Sequence, residues 1–238
     1  MSITLPRKKK RNLKLSFFYR VSRFLDLFLS STTKMKLFLD LSWIFSRLAH
    51  EEHTKSGLNL SVNNEEPNFL INKISKNQRV LDIGCGTGNV ILKLLPYTEN
   101  IVGIDHNQVS LNVIKQKINN PTIKLICGDI FNYMNENPSE HFDVIILSHI
   151  LEHLDNPKEF LNNVLSFGDF FYVEVPDFNS SHLNLLRKHL DTDLIYTDND
   201  HVTEFDRKEI QTIFKDLNLN ILDTEYIEGV MKYWLRKK

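Results

Sequence analysis

Residues Val80 to Asn89 read Val-Leu-Asp-Ile-Gly-Cys-Gly-Thr-Gly-Asn, and no other stretch constrains the fold as strongly. A short apolar strand, Arg79 to Ile83, passes into a helix beginning near Asn89 through three alternating glycines, Gly84, Gly86 and Gly88. Glycine reaches backbone conformations that other residues avoid, and without side chains the turn can lie flush against a ligand. The spacing is G-x-G-x-G, which differs from the G-x-G-x-x-G of dinucleotide-binding folds.

Three more strands follow in the same style. Asn100 to Ile104 ends at Asp105, Ile123 to Cys127 leads into Gly128-Asp129-Ile130, and Phe142 to Leu147 runs into Ser-His-Ile-Leu-Glu-His-Leu-Asp-Asn-Pro. Helical patterns at Asn68 to Lys76, Val90 to Leu95, Gln108 to Ile118 and Pro157 to Ser166 are interleaved with them. A fifth strand, Phe170 to Val175, is apolar except for Glu174. Asp206 to Leu217 reads as a helix with a capping-box pattern, Asp206 with Glu209 three residues on. Leu219 to Ile227 and Val230 to Leu235 form a closing pair of strands. Such alternation predicts an α/β fold, doubly wound, with a mainly parallel sheet and helices on both faces. Ligands in open α/β sheets bind outside the carboxyl ends of the strands, which collects Gly84, Asp105, Asp129 and His149 on one rim. An acid ending the second strand, as Asp105 does, can accept hydrogen bonds from both ribose hydroxyls.

The glycine turn and the acids at these strand ends resemble the class I S-adenosylmethionine-dependent methyltransferases, over roughly residues 68 to 238. The resemblance implies a seven-stranded, Rossmann-like sheet with one antiparallel strand at the edge, which the final hairpin around Glu228-Gly229 suits. It implies S-adenosylmethionine as cofactor, with Gly84, Gly86 and Gly88 at its methionine end and Asp105 at its ribose. Asp129 and Ile130 would frame the adenine, and Asp82 would orient the loop or the methionine end. His106 either borders the adenine or stands in an exposed loop.

The segment after the fourth strand bears on the reaction. His149, Glu152 and His153 stand at i, i+3 and i+4, so a helical turn here puts all three on one face. Imidazole and carboxylate suit a divalent cation such as Zn²⁺, Mn²⁺ or Fe²⁺. Together with the later Asp200-His201 and Glu204, this segment resembles the metal-dependent small-RNA 3′-terminal methyltransferases, where an E-x-x-E-H turn and a later histidine hold a cation. The ubiquinone-pathway O-methyltransferases share that turn. Glu152 and His153 fit its last two places and His201 the later histidine, but His149 stands in place of the first glutamate. Imidazole is a poor ligand for a hard ion, which argues against Mg²⁺. The Glu-His-Leu turn, Val175-Pro176-Asp177 and His201 equally fit the sugar- and polysaccharide-modifying branch, where the histidine lines a metal-free pocket.

The first reading is therefore O-methylation of a hydroxylated small molecule or glycan intermediate, with His153 as leading base and His149, Glu152 and His201 around the acceptor. The second is metal-assisted methylation of a quinone precursor or an RNA 3′ end, with Glu152, His153, His149 and His201 as candidate ligands. The third is a non-catalytic cofactor-binding, membrane-associated module, against which the intact glycine turn argues.

Residues 1–58 read as a basic N-terminal helical extension and residues 59–238 as the methyltransferase domain. Every charged residue before Asp26 is positive, and Phe17, Val21, Phe24, Leu25 and Phe28 recur at helical spacing among them. A solvated tail with a cap helix is the first reading of this stretch, an anionic membrane surface the second, and nucleic acid phosphates the third. A second helix is expected over Met35 to His50, and a polar linker over Asn59 to Pro67. Two cysteines, Cys85 and Cys127, form no C-x-x-C pair, so a reducing, cytoplasmic compartment is expected. No apolar run approaches the ~20 residues of a spanning helix, and no cleaved signal peptide is expected.

Overall fold

The computed structural model describes residues 13–56, 69–118, 120, 122–192 and 200–238. In chain order the elements are α1 (Leu13–Leu25), α2 (Ser31–Ser56), β1 (Val80–Ile83), α3 (Asn89–Leu94), β2 (Ile101–Asp105), α4 (Gln108–Lys117), β3 (Lys124–Cys127) and α5 (Ile130–Glu136). There follow β4 (Phe142–Ser148), α6 (Pro157–Val164), β5 (Gly168–Pro176), α7 (His182–Leu190), α8 (Arg207–Asp216), β6 (Leu219–Ile227) and β7 (Val230–Lys237). The expected linker lies outside the described residues, and of the helix expected over Asn68 to Lys76 a 3₁₀ turn, Ile71–Lys73, is seen.

The seven strands form one sheet in the order β3-β2-β1-β4-β5-β7-β6. The first five are mutually parallel, and β7 runs antiparallel to both β5 and β6. The antiparallel strand is thus not at the edge as expected. It is inserted between β5 and β6, because the hairpin at Glu228-Gly229 folds β7 back inside, with both residues at positive φ.

Successive strand residues alternate between two apolar clusters, as the period of a pleated strand requires. Leu81, Ile83, Ile145, Leu147, Phe171 and Val173 join α5, α6 and α8 on one face. Val80, Ile101, Val144, Ile146 and Tyr172 join α3 and α4 on the other. Asp82 and Glu174 sit in register with Val80 and Tyr172, so both acids point to the α3 side. The capping box is formed: Asp206 accepts from the Lys208 and Glu209 amides, and Glu209 accepts from the Asp206 amide at 2.8 Å.

By internal contacts the described chain divides into two units, one from Met1–Leu58 with Leu186–Leu194, the other from Asn59–Leu185 with Ile195–Lys238. In the first, Arg187 donates to the Leu39 carbonyl at 2.9 Å and Lys36 to that of Asp191 at 3.3 Å. No described helix is long and apolar enough to cross a membrane.

Candidate active site

The glycine turn is left-handed at each glycine, with φ of +69° at Gly84, +53° at Gly86 and +83° at Gly88. At Gly84 a Cβ would lie 2.1 Å from Ile150 Cδ1, and at Gly88 one would lie 2.8 Å from Ile114 Cγ1. At Gly86 the nearest atom would be the Gly84 oxygen at 4.0 Å, so the space beside it stays open. Asp105, at the end of β2, fastens this turn. Its Oδ2 accepts from the Gly86 amide at 2.8 Å and its Oδ1 from the Asn107 amide at 2.7 Å. A carboxylate has about four acceptor sites, so each oxygen retains a lone pair for a diol.

A cavity of about 550 Å³ opens at this rim, within the ~300–1,000 Å³ typical of small-molecule sites. Gly84, Asp105, His106, Asp129, Ile130 and His153 all line it. Ile83, Ile104, Leu154 and Phe160 supply apolar wall on which a flat heterocycle can pack. His106 is 93% exposed in its side chain, so it borders the cavity from an exposed loop. Asp129 has a second duty that its sequence context concealed: its Oδ1 accepts from the Phe131 and Asn132 amides and caps α5. Asp82 lies behind the turn, 2% exposed, and its Oδ2 has no hydrogen-bond partner among the described residues. Burial, reinforced by the charge of Asp105, pushes this carboxyl up to about 8.

The expected single face of His149, Glu152 and His153 is not formed. His149 adopts φ +55°, and the following turn, Leu151–His153, is 3₁₀, so the α-helical spacing never applies. The His149 ring is held between Glu152 Oε1 at 2.9 Å from Nδ1 and Glu174 Oε1 at 3.2 Å from Nε2. Those two hydrogen bonds, Glu152's first, raise the imidazole to about 10, so the ring is engaged by two carboxylates and favours the protonated form. It lines a separate cavity of about 260 Å³ with Asn89, Ser148, Tyr172 and Glu174. Against the upward push of its own burial, His149 and the Tyr172 hydroxyl hold Glu174 below the usual carboxylate value.

The other three candidates do converge. Glu152 is 1% exposed, and its carbonyl accepts from the Val202 amide at 2.8 Å and the Thr203 amide at 3.0 Å, which draws His201 to the turn. The His153 and His201 rings pack edge to face, 4.9 Å between centroids. One ligand atom each from Glu152, His153 and His201 lies within 4.8 Å of the others. His153 Nδ1 is 3.1 Å from the Asp200 carbonyl, which only accepts, so Nδ1 carries the proton and Nε2 the lone pair. His201 Nδ1 is likewise 2.9 Å from Glu204 Oε1. Glu152 Oε2 has no hydrogen-bond partner among the described residues. Sequence reasoning assigns Glu174 and Tyr172 no site role and Glu204 none beyond its place beside His201. The lone acid in an apolar strand and the i, i+3 spacing of His201 and Glu204 were the available signals.

The methyltransferase domain family matches residues 56–224. A mitochondrial ubiquinone biosynthesis O-methyltransferase of Dictyostelium discoideum is 24% identical over 178 residues, 63% of this chain and 55% of that protein. The chain spans about half the length of the curated relatives it matches. Among solved structures, the small RNA methyltransferase HEN1 superposes with a TM-score of 0.55 at 20% identity, covering 71% of this chain and 24% of that one. The plantazolicin methyltransferase BpumL, in complex with SAH, superposes at 0.52 with 18% identity, covering 68% and 76%. With a family match over most of its length and a seven-stranded sheet of this order behind a glycine turn, the chain belongs to the class I S-adenosylmethionine-dependent methyltransferases.

Proposed function

We propose that the chain transfers a methyl group from S-adenosylmethionine to an oxygen of a hydroxylated small molecule or glycan intermediate, with the acceptor presented to His153. One observation carries this reading: His153 lines the same cavity as Gly84, Asp105, Asp129 and Ile130. The residues assigned to the donor and the leading base therefore face one space. The oxygen acceptor is also the chemistry named for the Dictyostelium relative.

The bound donor supplies an electrophilic methyl on a cationic sulfur. The chain does the rest. The open side of Gly86 admits the donor's backbone-like end, and Asp82, which burial favours in the protonated form below about pH 8, would ionise against the donor's ammonium on binding. Asp105 accepts from the ribose, and the rigid strand ends hold the geometry for an in-line displacement, where alignment provides much of the acceleration. With Nδ1 committed to the Asp200 carbonyl, His153 Nε2 would take the proton from the acceptor hydroxyl as the new C–O bond forms and the donor's methyl–sulfur bond breaks, its electron pair leaving with the neutral thioether S-adenosylhomocysteine.

A second reading is favoured by the hydrogen bonding of the cluster. Both histidines have Nδ1 set by an oxygen acceptor, the arrangement that orients metal-binding imidazoles, and Glu152 Oε2 faces no partner among the described residues. Glu152, His153 and His201 would hold a borderline divalent cation, which would acidify a coordinated acceptor hydroxyl.

Calorimetric titration with S-adenosylmethionine, with and without a chelator, tests both. Saturable binding that Asp105→Ala abolishes supports the donor site, and absence of binding overturns it. Turnover of a catechol or sugar acceptor that a chelator abolishes and Zn²⁺ or Mn²⁺ restores selects the metal-assisted reading.

A further inference from the structure

The apolar face of α1 is open. Leu13, Phe17, Val21 and Phe24 recur at three- and four-residue spacing along it, and α1 contains no buried residue. Leu13 is 72% exposed, Phe17 62% and Phe24 60%, and in the turn that follows Leu27 and Phe28 are 74% and 69% exposed. At about 100° per residue, Arg20 and Arg23 fall together on one flank of that face. Every charged residue before Asp26 is a cation: Arg7, Lys8, Lys9, Lys10, Arg11, Lys14, Arg20 and Arg23.

The two properties together choose the occupant. A purely apolar protein groove makes no use of the cations. Nucleic acid bases stack on phenylalanine rings, but they make no use of the exposed aliphatic side chains of Leu13 and Leu27. A lipid surface with anionic headgroups over an acyl boundary is complementary to both at once. The geometry also excludes a span, since 13 residues of helix rise about 20 Å against a ~30 Å hydrocarbon core.

We propose that α1 is an in-plane anchor that seats the chain on an anionic lipid surface. Leu13, Phe17, Phe24 and Phe28 enter the acyl boundary, and Lys14, Arg20 and Arg23 meet the headgroups. This goes beyond the proposed reaction and does not depend on it.

The test is co-sedimentation of the full chain with phosphatidylcholine vesicles and with mixed phosphatidylcholine–phosphatidylserine vesicles. Strong preference for the mixed vesicles is expected, weakening with added salt. Arg20→Glu with Arg23→Glu should reduce that affinity more than about tenfold, since each near-surface cation contributes roughly fivefold. Phe17→Ser with Phe24→Ser should also weaken it while leaving the thermal unfolding midpoint in place, because α1 has no buried residue. No sedimentation with mixed vesicles, or equal sedimentation with both kinds, overturns the proposal. So does vesicle binding indifferent to the phenylalanine changes while a single-stranded RNA binds in a manner sensitive to Arg20 and Arg23, which would assign the segment to nucleic acid.

Discussion

Asp82→Asn separates the cost of building the donor site from its use. The carboxyl is buried beside Asp105, lacks a partner for Oδ2 among the described residues, and titrates at about 8 in place of 3.8. The folded state therefore holds this proton more tightly than the unfolded state. Stability is greatest where both states are protonated and falls as pH rises from about 4 through about 8. At about 1.4 kcal/mol for each tenfold difference in proton affinity, the loss reaches on the order of 5 kcal/mol above the folded pKa. An amide cannot ionise and loses this dependence. Relative to acid pH, where the difference from this group is small, urea unfolding should thus show the variant gaining roughly 1.5 kcal/mol over the parent by about pH 5 and several kcal/mol by about pH 9. Groups common to both chains, His149 among them, cancel in that difference. Parallel stability profiles would refute the reasoning. The same variant should bind S-adenosylmethionine at least about tenfold more weakly, because an ion pair with the donor's ammonium is lost. A variant that gains alkaline stability and binds the donor as tightly as the parent would remove Asp82 from the donor site.

Three other perturbations bear on neighbouring parts of the site. Gly84→Ala places a Cβ 2.1 Å from Ile150 Cδ1 at φ +69°; we expect about 1–3 kcal/mol of destabilisation and loss of donor binding by calorimetry as Ile150 is driven into the cavity. Unchanged donor affinity would show that the turn does not meet the ligand. His149→Gln removes an imidazole raised from 6.5 to about 10, whose contribution is complete below about pH 6.5 and lost as pH rises through about 10. The parent's stability advantage over that variant should therefore shrink across this window in urea unfolding, and a constant difference would contradict the two-carboxylate clamp. Glu152→Gln keeps the shape of a buried side chain but removes its charge; under the metal-assisted reading, bound Zn²⁺ measured after equilibrium dialysis should fall more than about tenfold. Retained Zn²⁺ would remove Glu152 from the ligand set and refute this cluster as the metal site.

The strand ends were legible because apolar runs stop at residues with a specific backbone or charge role. Ile83 yields to Gly84, and Ile104 to Asp105, and the structure shows why: the Gly84 amide donates to the Ile104 carbonyl at 2.8 Å, while Asp105 reaches back to Gly86. The place of β7 was not legible. Local alternation reports that a strand exists and which residues share a face, but not which neighbour it chooses, and the hairpin could close at the edge or inside it. The start of α5 is hard to see in the sequence because Asp129 suits a ligand contact, although an Asp two and three residues before its bonded amides is also a helix cap. The grouping of His149 with Glu152 and His153 assumed α-helical periodicity. One left-handed residue, a conformation uncommon outside glycine although histidine is among the residues that adopt it more often, cancelled it.

That single residue also explains how eight side chains from Ser148 to Asp155 can serve two cavities. With His149 left-handed, the chain reverses at the end of β4, and its ring turns back to Glu174 on the α3 side of the sheet. Ile150 then lands against Gly84, Leu151 enters the core, and Glu152 is buried with one oxygen on His149. His153 and Leu154 emerge on the donor cavity. A glutamate in place of His149 would put a third carboxylate between Glu152 and Glu174, where mutual repulsion leaves no neutralising charge unless a cation enters. The imidazolium supplies that charge within the protein. The cluster of Glu152, His153 and His201 is therefore assembled by internal pairing, and any divalent cation it holds meets three side-chain donors already in place rather than being required to gather them.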